Sequence, residues 1–257
     1  MLDEKEVQEV ISRDLHCLHN FDLNCEMCRL RGMCLPAAIS PQEIESLESL
    51  IDNRIEVPAR ATIYRKEQPF THIFAVVYGA VKTYSTGNDG ETCVTGLHLP
   101  GELFGFSGIH DGVYAVSAKA LENSVVCAIP FDDLESCCRV IPGLKTRLLH
   151  LMSDRSIDYQ QHFAHLSSGN AAQRRVATFL ISLLSRAARR GLDSATVRLP
   201  MNGDDTASYL GITPETLSRE FSRLARDGVI AKSGREITLL DKAQLHGVAC
   251  DRPASGA

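Results

Sequence analysis

The chain has 257 residues, of which 44% are hydrophobic and 23% charged, and no apolar stretch approaches membrane-spanning length. This composition is typical of a soluble globular protein with room for two domains. The early acidic residues Asp3, Glu4, Glu6, Glu9 and Asp14 exclude a secretory signal peptide. Nine cysteines without an export signal therefore predict reduced thiols and a cytoplasmic protein.

The net charge of −5 is unevenly distributed along the chain. Residues 1–170 carry 14 Lys and Arg against 23 Asp and Glu, a balance of −9, and residues 171–257 carry 13 against 9, a balance of +4. An acidic first part and a basic second part favour a sensing region joined to a region that binds a polyanion. Ordinary charge scatter is the alternative, unless a motif supports the division.

Four cysteines form the most informative pattern in the sequence. Cys25, Cys28 and Cys34 lie within ten residues of one another in an N-terminal arm, and Cys127 follows far downstream in the apolar segment 124–130. Three closely spaced thiolates and one distant thiolate are typical ligands of a soft metal centre. Such a centre would attach the arm to the body of the fold, and an oxidisable centre would make the protein a sensor.

The middle of the chain predicts a β-structure. Ser40-Pro41-Gln42-Glu43 first indicates the start of a short helix, because Ser caps it, Pro takes its first position and Glu its third. From about Ile55 to Ile129 the hydrophobic period changes to two. Short strands are expected at 62–65, 73–78, 81–85, 93–99 and 113–118, separated by turns rich in Gly and Pro. Such a series predicts an antiparallel roll or barrel.

A helical period begins after Pro142 and continues for about 25 residues. Its apolar stripe is narrow, which favours a coiled coil between two copies of the chain. A helix packed on its own roll is the alternative. The expected dimer-interface residues are Leu148, Met152, Arg155, Ser156, Tyr159, His162, Phe163 and Leu166.

A second helix is expected from Ala171 to about Arg190, and residues 204–227 then follow a helix-turn-helix pattern. A short helix ends at Leu210, Gly211 supplies the turn, and Thr213-Pro214 begins the next helix. Leu217, Phe221 and Leu224 share one face of that helix and should enter the core.

The opposite face carries side chains that suit the major groove of DNA. Arg219 can bind guanine, Glu215 can accept from cytosine N4, and Ser218 suits several base edges. Behind this helix, Gly234 predicts a hairpin that would form a wing facing the DNA backbone. The expected DNA contacts are Glu215, Ser218, Arg219, Ser222, Arg223, Lys232 and Arg235. An amphipathic surface helix with incidental charges is the alternative.

On these residues the chain resembles the cyclic-AMP-receptor/FNR family of bacterial transcription regulators, and in particular its FNR-type oxygen sensors. The resemblance covers nearly the whole chain after about residue 20. Its matching segments are Cys25-x2-Cys28-x5-Cys34, 96–99, 120–131, 151–153 and 209–219. Two departures stand out: Asp205-Thr206-Ala207 replaces the usual Asp-Ile-Gly, and Glu220 follows the key arginine, where an acid close to phosphates would weaken binding.

Together with the predicted elements, the resemblance implies an α+β fold. A cysteine-rich arm (1–40) precedes an antiparallel β-roll of the cyclic-nucleotide-binding jelly-roll type (41–141). A dimerisation helix (142–169), a C-terminal winged helix-turn-helix domain (170–250) and a tail (251–257) follow.

The resemblance also implies how the protein works. An oxygen-labile [4Fe–4S] cluster on Cys25, Cys28, Cys34 and Cys127 would support a homodimer that binds inverted repeats of TTGAT-like half-sites in double-stranded DNA. Oxygen would destroy the cluster and release the DNA, so the protein would regulate anaerobic gene expression. The loop Gly87–Glu91 falls where relatives touch RNA polymerase, and neither a membrane partner nor an enzymatic activity is expected.

Other interpretations stay open. A cyclic-nucleotide-binding relative would need an arginine in the roll for the cyclic phosphate, yet none occurs between Arg65 and Arg139. A structural zinc site of four thiolates is the alternative that leaves the predicted DNA-binding domain unchanged, and residue types alone do not exclude it. An enzyme is disfavoured because the chain has no nucleophile-elbow, zinc-protease or phosphate-loop motif. Cys17 and His19 are candidate extra ligands, although four thiolates already complete a cluster.

Overall fold

The computed structural model describes residues 25–26, 28–49, 53–87, 90–167, 172–193 and 195–250. The arm enters the fold through a series of turns and a 3₁₀ helix, Leu35–Ala38. Helix α1, Pro41–Glu48, follows with the predicted cap: the Ser40 hydroxyl accepts from the Glu43 amide, and the Glu43 carboxylate accepts from the Ser40 amide. Ile44 and Leu47 are the buried residues of α1, and they pack beneath the arm.

Two four-stranded antiparallel sheets form the roll. The first sheet has the order β1-β8-β3-β6 and the second the order β2-β7-β4-β5. The strands are β1 Asn53–Val57, β2 Thr62–Tyr64, β3 His72–Tyr78, β4 Val81–Thr86, β5 Thr92–His98, β6 Leu103–Phe104, β7 Ser117–Ala120 and β8 Ser124–Pro130. Aromatic rings fill the space between the sheets, with Tyr64 stacked on Tyr114 at 3.8 Å between ring centroids.

Two helices follow the roll. Helix α2, Phe131–Val140, leads directly into the long helix α3, Pro142–Ser167, and the sequence therefore predicted the start of α3 correctly. Leu144 of α3 is fully buried, and Leu148 and Leu151 pack against the same apolar cluster as the arm. The first half of α3 is thus anchored to its own roll.

The C-terminal domain begins with helix α4, Ala172–Arg189, close to the predicted bounds. The strand β9, Thr196–Arg198, leads to helix α5, Gly203–Leu210, and helix α6, Pro214–Arg226. The hairpin of β10, Ile230–Ser233, and β11, Glu236–Leu239, pairs with β9 in a sheet of order β10-β11-β9, and helix α7, Lys242–Cys250, closes the domain. The α+β fold class, with its roll, long helix and winged helix-turn-helix, is confirmed.

The prediction of a strand at 113–118 is wrong for its first half. Val113 makes only an isolated bridge to Pro69, and the regular strand β7 begins at Ser117. Tyr114 is the physical reason, because its ring enters the core and its hydroxyl donates to the carbonyl of His72 at 2.7 Å. The strands β1, β6 and β8 were not among the five predicted strands.

Candidate metal centre and nucleic-acid interface

All four predicted ligand cysteines line one cavity. This cysteine chamber has a volume of about 450 Å³ including its opening, and it lies between the arm and the sheet that contains β8. Its other walls are largely apolar and include Leu35, Leu47 and Ile129. Cys25 is 8% exposed and Cys127 is 7% exposed, so two of the four thiols are almost fully removed from water.

Local structure explains why the cysteines meet. The Cys28 carbonyl accepts from the Arg31 amide at 3.0 Å, and the Leu30 carbonyl accepts from the Cys34 amide at 3.0 Å. These turns fold the arm back on itself, so that Cys34 returns towards Cys28. Cys127 lies on the central strand β8, directly between Arg54 on β1 and Ala75 on β3.

Burial makes the chamber a poor place for an isolated thiolate. It raises the pKa of Cys25 to about 12, with the Cys127 sulfur as the next contribution. Burial likewise raises the pKa of Cys34 to about 12. The pKa of Cys127 is also raised by burial, although the Arg54 guanidinium partly offsets that effect. These thiols are therefore neutral at physiological pH until a cation arrives to stabilise their thiolates.

The donor set fits a soft metal centre in residue type, and all four thiols border the same cavity. Four sulfur atoms and apolar walls are what an iron–sulfur cluster or a tetrahedral zinc site requires. Among the residues that the structure describes, no three Cys, His, Asp or Glu side chains converge tightly enough to hold a single metal ion. The chamber therefore brings the predicted ligands together without bringing them into ligating geometry. Cys17 and His19 lie outside the described residues.

Two arginines beside the chamber were not predicted from the sequence. Arg54 stands opposite Cys127 across the β1–β8 ladder and also lines the chamber. Arg147 of α3 donates to the carbonyl oxygen of Met33 at 2.6 Å and to that of Cys34 at 3.1 Å. Neither contact has a signal in the sequence, because both join segments that only the fold brings together.

The long helix α3 presents two different faces. Leu148 packs against the cluster that contains Cys25 and Cys127. Arg155 lies 2.7 Å from the Glu102 carboxylate, so the structure places this predicted interface residue against the chain's own roll. Ser156 and Tyr159 are exposed, and Met152 is partly buried. Leu149 and Ile157, which were not predicted, add exposed apolar surface, whereas the side chains of His162, Phe163 and Leu166 lie outside the described residues.

The helix-turn-helix has the predicted turn, the predicted cap of its second helix and the predicted core, and Asn202 adds a cap that was not predicted. Asn202 caps α5 by accepting from the Asp205 amide at 2.7 Å, and Gly211 ends α5 with a φ of +61°, which glycine adopts without strain. Thr213 caps α6 by accepting from the Thr216 amide at 3.2 Å. The predicted core residues of α6 are buried, and they are Leu217, Phe221 and Leu224.

The face of α6 that was predicted to read DNA is exposed. Among the described residues, the Arg219 guanidinium donates to Thr216 of its own helix, at 3.3 Å, so it keeps donors for a base edge. The Oε2 atom of Glu220 is buried and has no hydrogen-bond partner among the described residues, so the carboxylate remains an acid close to the expected phosphates. The exposed residues of α6 on the predicted list are Glu215, Ser218, Arg219, Ser222 and Arg223.

The predicted wing exists and turns at Gly234, which has a φ of +58°. Lys232 is exposed, and its ammonium group donates to the Gly234 carbonyl at 2.8 Å. Arg235 donates to the carbonyl of Leu199 at 2.9 Å and also to that of Pro200. Its guanidinium is therefore bound to its own domain, a placement that the sequence did not predict.

Family models match both halves of the chain. The model described as a cyclic nucleotide-binding domain matches residues 54–140, and the model described as a Crp-like helix-turn-helix domain matches residues 174–248. In the part of the chain that the structure describes, no helix is long and apolar enough to cross a bilayer.

Several curated proteins are similar along most of their length. The transcriptional activator protein FnrA of Stutzerimonas stutzeri is 37% identical, over 88% of this chain and 92% of its own. The transcriptional activator protein anr of Pseudomonas aeruginosa is 38% identical over the same shares. The anaerobic regulatory protein of Haemophilus influenzae is 33% identical, over 85% of each chain. The solved structure of FixK2 from Bradyrhizobium japonicum is 28% identical, with a TM-score of 0.69 over 80% of this chain and 98% of its own.

The roll, the long helix and the winged helix-turn-helix define a DNA-binding transcription regulator. More specifically, the chain belongs to the CRP/FNR family and is similar to its FNR/Anr-type members.

Proposed function

We propose that this protein is an oxygen-responsive transcription regulator of anaerobic gene expression. The observation that carries the proposal is the cysteine chamber, which gathers Cys25, Cys28, Cys34 and Cys127 beneath the helix that we propose as the dimer seam. Relatives named for anaerobic regulation, such as that of Haemophilus influenzae, support the same conclusion.

The four cysteines would hold a [4Fe–4S] cluster, which supplies a centre that oxygen can oxidise. Arg54 is placed to offset the negative charge of the Cys127 thiolate, and the apolar walls keep water from the sulfurs. Zinc is the alternative occupant of four thiolates, and no contact in the described residues favours it over iron and sulfide.

The arm touches α3 at two places, which gives the chamber a path to the proposed dimer seam. Arg147 binds the arm carbonyls at Met33 and Cys34, and Gly143 approaches so closely that a side-chain carbon there would lie 2.6 Å from the Ala38 carbonyl oxygen. A change in the fold of residues 28–38 therefore shifts the first turns of α3. We propose that an ordered arm fixes α3 for pairing with a second copy.

The proposed homodimer uses the outward face of α3. Met152, Ser156 and Tyr159 lie towards this face, next to the exposed Leu149 and Ile157, and the seam would continue through His162, Phe163 and Leu166. Two chains would then present two α6 helices to inverted half-sites about one DNA turn apart. We expect TTGAT-like half-sites, read by Glu215, Ser218 and Arg219, and contact between the 87–91 loop and RNA polymerase.

Iron and acid-labile sulfide analysis of protein purified without air tests the metal assignment. The wild-type chain should carry both elements, and Cys34→Ser should lose them. Cys93→Ser is the matched control, because that thiol is exposed on β5 and lies outside the chamber. A colourless wild-type protein that holds zinc without sulfide would reject the cluster.

Fluorescence anisotropy with a duplex of inverted TTGAT half-sites tests the oxygen response. Affinity should be high for anaerobic protein and should fall by roughly five- to 150-fold after exposure to air, the range typical of allosteric coupling. Equal affinity before and after air would reject an oxygen-controlled regulator and leave a constitutive DNA-binding protein.

A further inference from the structure

One carboxylate in the roll binds both the proposed dimer helix and the DNA-binding domain. Glu102 lies in the turn before β6. Its carboxylate accepts a hydrogen bond from Nε of Arg186 in α4 at 2.6 Å and a second one from Nη2 of the same guanidinium. The same carboxylate forms an ion pair with Arg155 of α3 at 2.7 Å and accepts a hydrogen bond from the Leu99 amide at 2.9 Å. Three parts of the molecule therefore converge on a single side chain.

The junction formed by Glu102, Arg155 and Arg186 is buried, so its ion pairs are not ordinary surface contacts. The three side chains are 10%, 15% and 10% exposed, respectively. Exposed ion pairs contribute little because water screens them, whereas removing one partner of a buried pair leaves an uncompensated charge. Burial opposes ionisation of Glu102, but Arg186 and then Arg155 hold the pKa of its carboxyl well below the usual range.

The turn that carries Glu102 also touches the cysteine chamber. Gly101 lines the chamber and has a φ of +89°, and a side-chain carbon there would lie 2.8 Å from the Met33 methyl carbon. The next residue is Glu102, and its carbonyl accepts from the Val76 amide at 3.0 Å. The arm and the junction are thus separated by one residue of backbone.

The DNA-binding domain also covers the edge of the roll beside this junction. Strand β5 ends the sheet order β2-β7-β4-β5, and its outward Val94 amide donates to the Ser208 hydroxyl of α5 at 3.0 Å. Ser208 in turn donates to the Thr92 carbonyl at 3.2 Å, and Lys82 pairs with Asp205. The Val94 amide is therefore a local reporter of whether the domain is docked on the roll.

We infer that Glu102 is a positioning residue for DNA binding: through Arg186 it docks the DNA-binding domain on the roll, and through Arg155 it holds the dimer helix. The two arginines share the Glu102 carboxylate but come from different helices, so we expect the loss of each one to loosen chiefly its own helix. This inference concerns the whole chain with or without metal, so it does not depend on the proposed cluster.

Hydrogen exchange of the metal-free full-length protein, resolved to single amides, tests this inference. Glu102→Gln should speed exchange of the Val94 amide and of the amides around Arg155 by roughly tenfold. Arg186→Met should speed exchange at Val94 alone, and Arg155→Met should speed exchange in α3 alone. Glu67→Gln makes the same chemical change at an exposed site of the roll and should alter neither region.

The pattern across the three variants decides the outcome. If Val94 exchanges at the wild-type rate in Arg186→Met, Glu102 does not dock the domain and the inference is overturned. The same holds if both single arginine variants loosen both regions, since that indicates general destabilisation. Should Glu102→Gln fail to fold, the two arginine variants still give the decisive comparison. Affinity for DNA, measured alongside, should fall in Arg186→Met and stay unchanged in Glu67→Gln.

Discussion

Arg147 and Cys34 are 113 residues apart in sequence, yet the guanidinium of one donates to the backbone carbonyl of the other at 3.1 Å. A second bond runs from Arg147 to the Met33 carbonyl at 2.6 Å. Both hydrogen bonds have a charged donor, and such bonds stabilise a fold more than hydrogen bonds between neutral groups do. Because they join the cysteine-bearing arm to the proposed dimer helix, their loss should affect the arm before it affects the roll.

Replacing Arg147 with Met should lower the free energy of unfolding of the metal-free protein by about 2–3 kcal/mol, since two carbonyls lose a charged donor. Urea unfolding measures this change directly. Lys145→Met is the matched control, because Lys145 is exposed on the same helix, and it should change stability by less than about 0.5 kcal/mol. Equal shifts in the two variants would show that the bonds to the arm contribute nothing.

Cys25 and Cys34 of the metal-free protein should react slowly with iodoacetamide. Burial raises the pKa of Cys25 and Cys34 to about 12, so their thiolate fraction at pH 8 is very small. Their alkylation at pH 8 should be slower than that of the exposed Cys93 by a factor on the order of 10³, and it should rise about tenfold per pH unit between pH 8 and 10. Mass spectrometry of tryptic peptides gives each rate. Fast, pH-independent labelling of Cys25 would show that the chamber opens freely.

Sequence patterns predicted the features that depend on local chemistry. The cap of α1, the turn at Gly211 and the buried face of α6 each arise from residues within one or two helical turns. The meeting of the four cysteines at one chamber was also predictable, because their residue type and spacing are specific even before the fold is known.

Features that depend on tertiary contacts were missed. Periodicity identifies an apolar stripe on α3, but it does not predict that Arg155 forms an ion pair with Glu102 or that Leu149 is exposed. Likewise, alternation from Val113 indicates a strand, whereas the Tyr114 ring, stacked on Tyr64, holds that segment in a loop. In both cases a single long-range partner, absent from the local pattern, decides the conformation.

Arg235 should stabilise the DNA-binding domain more than it contributes to phosphate binding. Its guanidinium is bound to the carbonyls of Leu199 and Pro200, so Arg235→Met should lower stability by about 1–3 kcal/mol. Lys232→Met removes an exposed charge of the same wing and should instead weaken DNA affinity with little change in stability. Thermal unfolding and DNA titration of both variants separate the two roles, and the reverse pattern would restore Arg235 as a DNA contact.

Arg219 and Arg223 of α6 should differ in what they recognise. Both are exposed, but Arg219 lies nearer the start of the helix, where side chains reach base edges, and Arg223 is one turn further on, beside Asp227. Arg219→Ala should cost about 1–3 kcal/mol for the preferred duplex and relax discrimination at one base pair. Arg223→Ala should weaken all duplexes alike and reduce the slope of log affinity against log salt by about 0.9. Titrations of a preferred and a single-substituted duplex at several salt concentrations distinguish these effects. If Arg219→Ala weakens both duplexes equally, Arg219 contacts the phosphate backbone and the base-reading assignment is wrong.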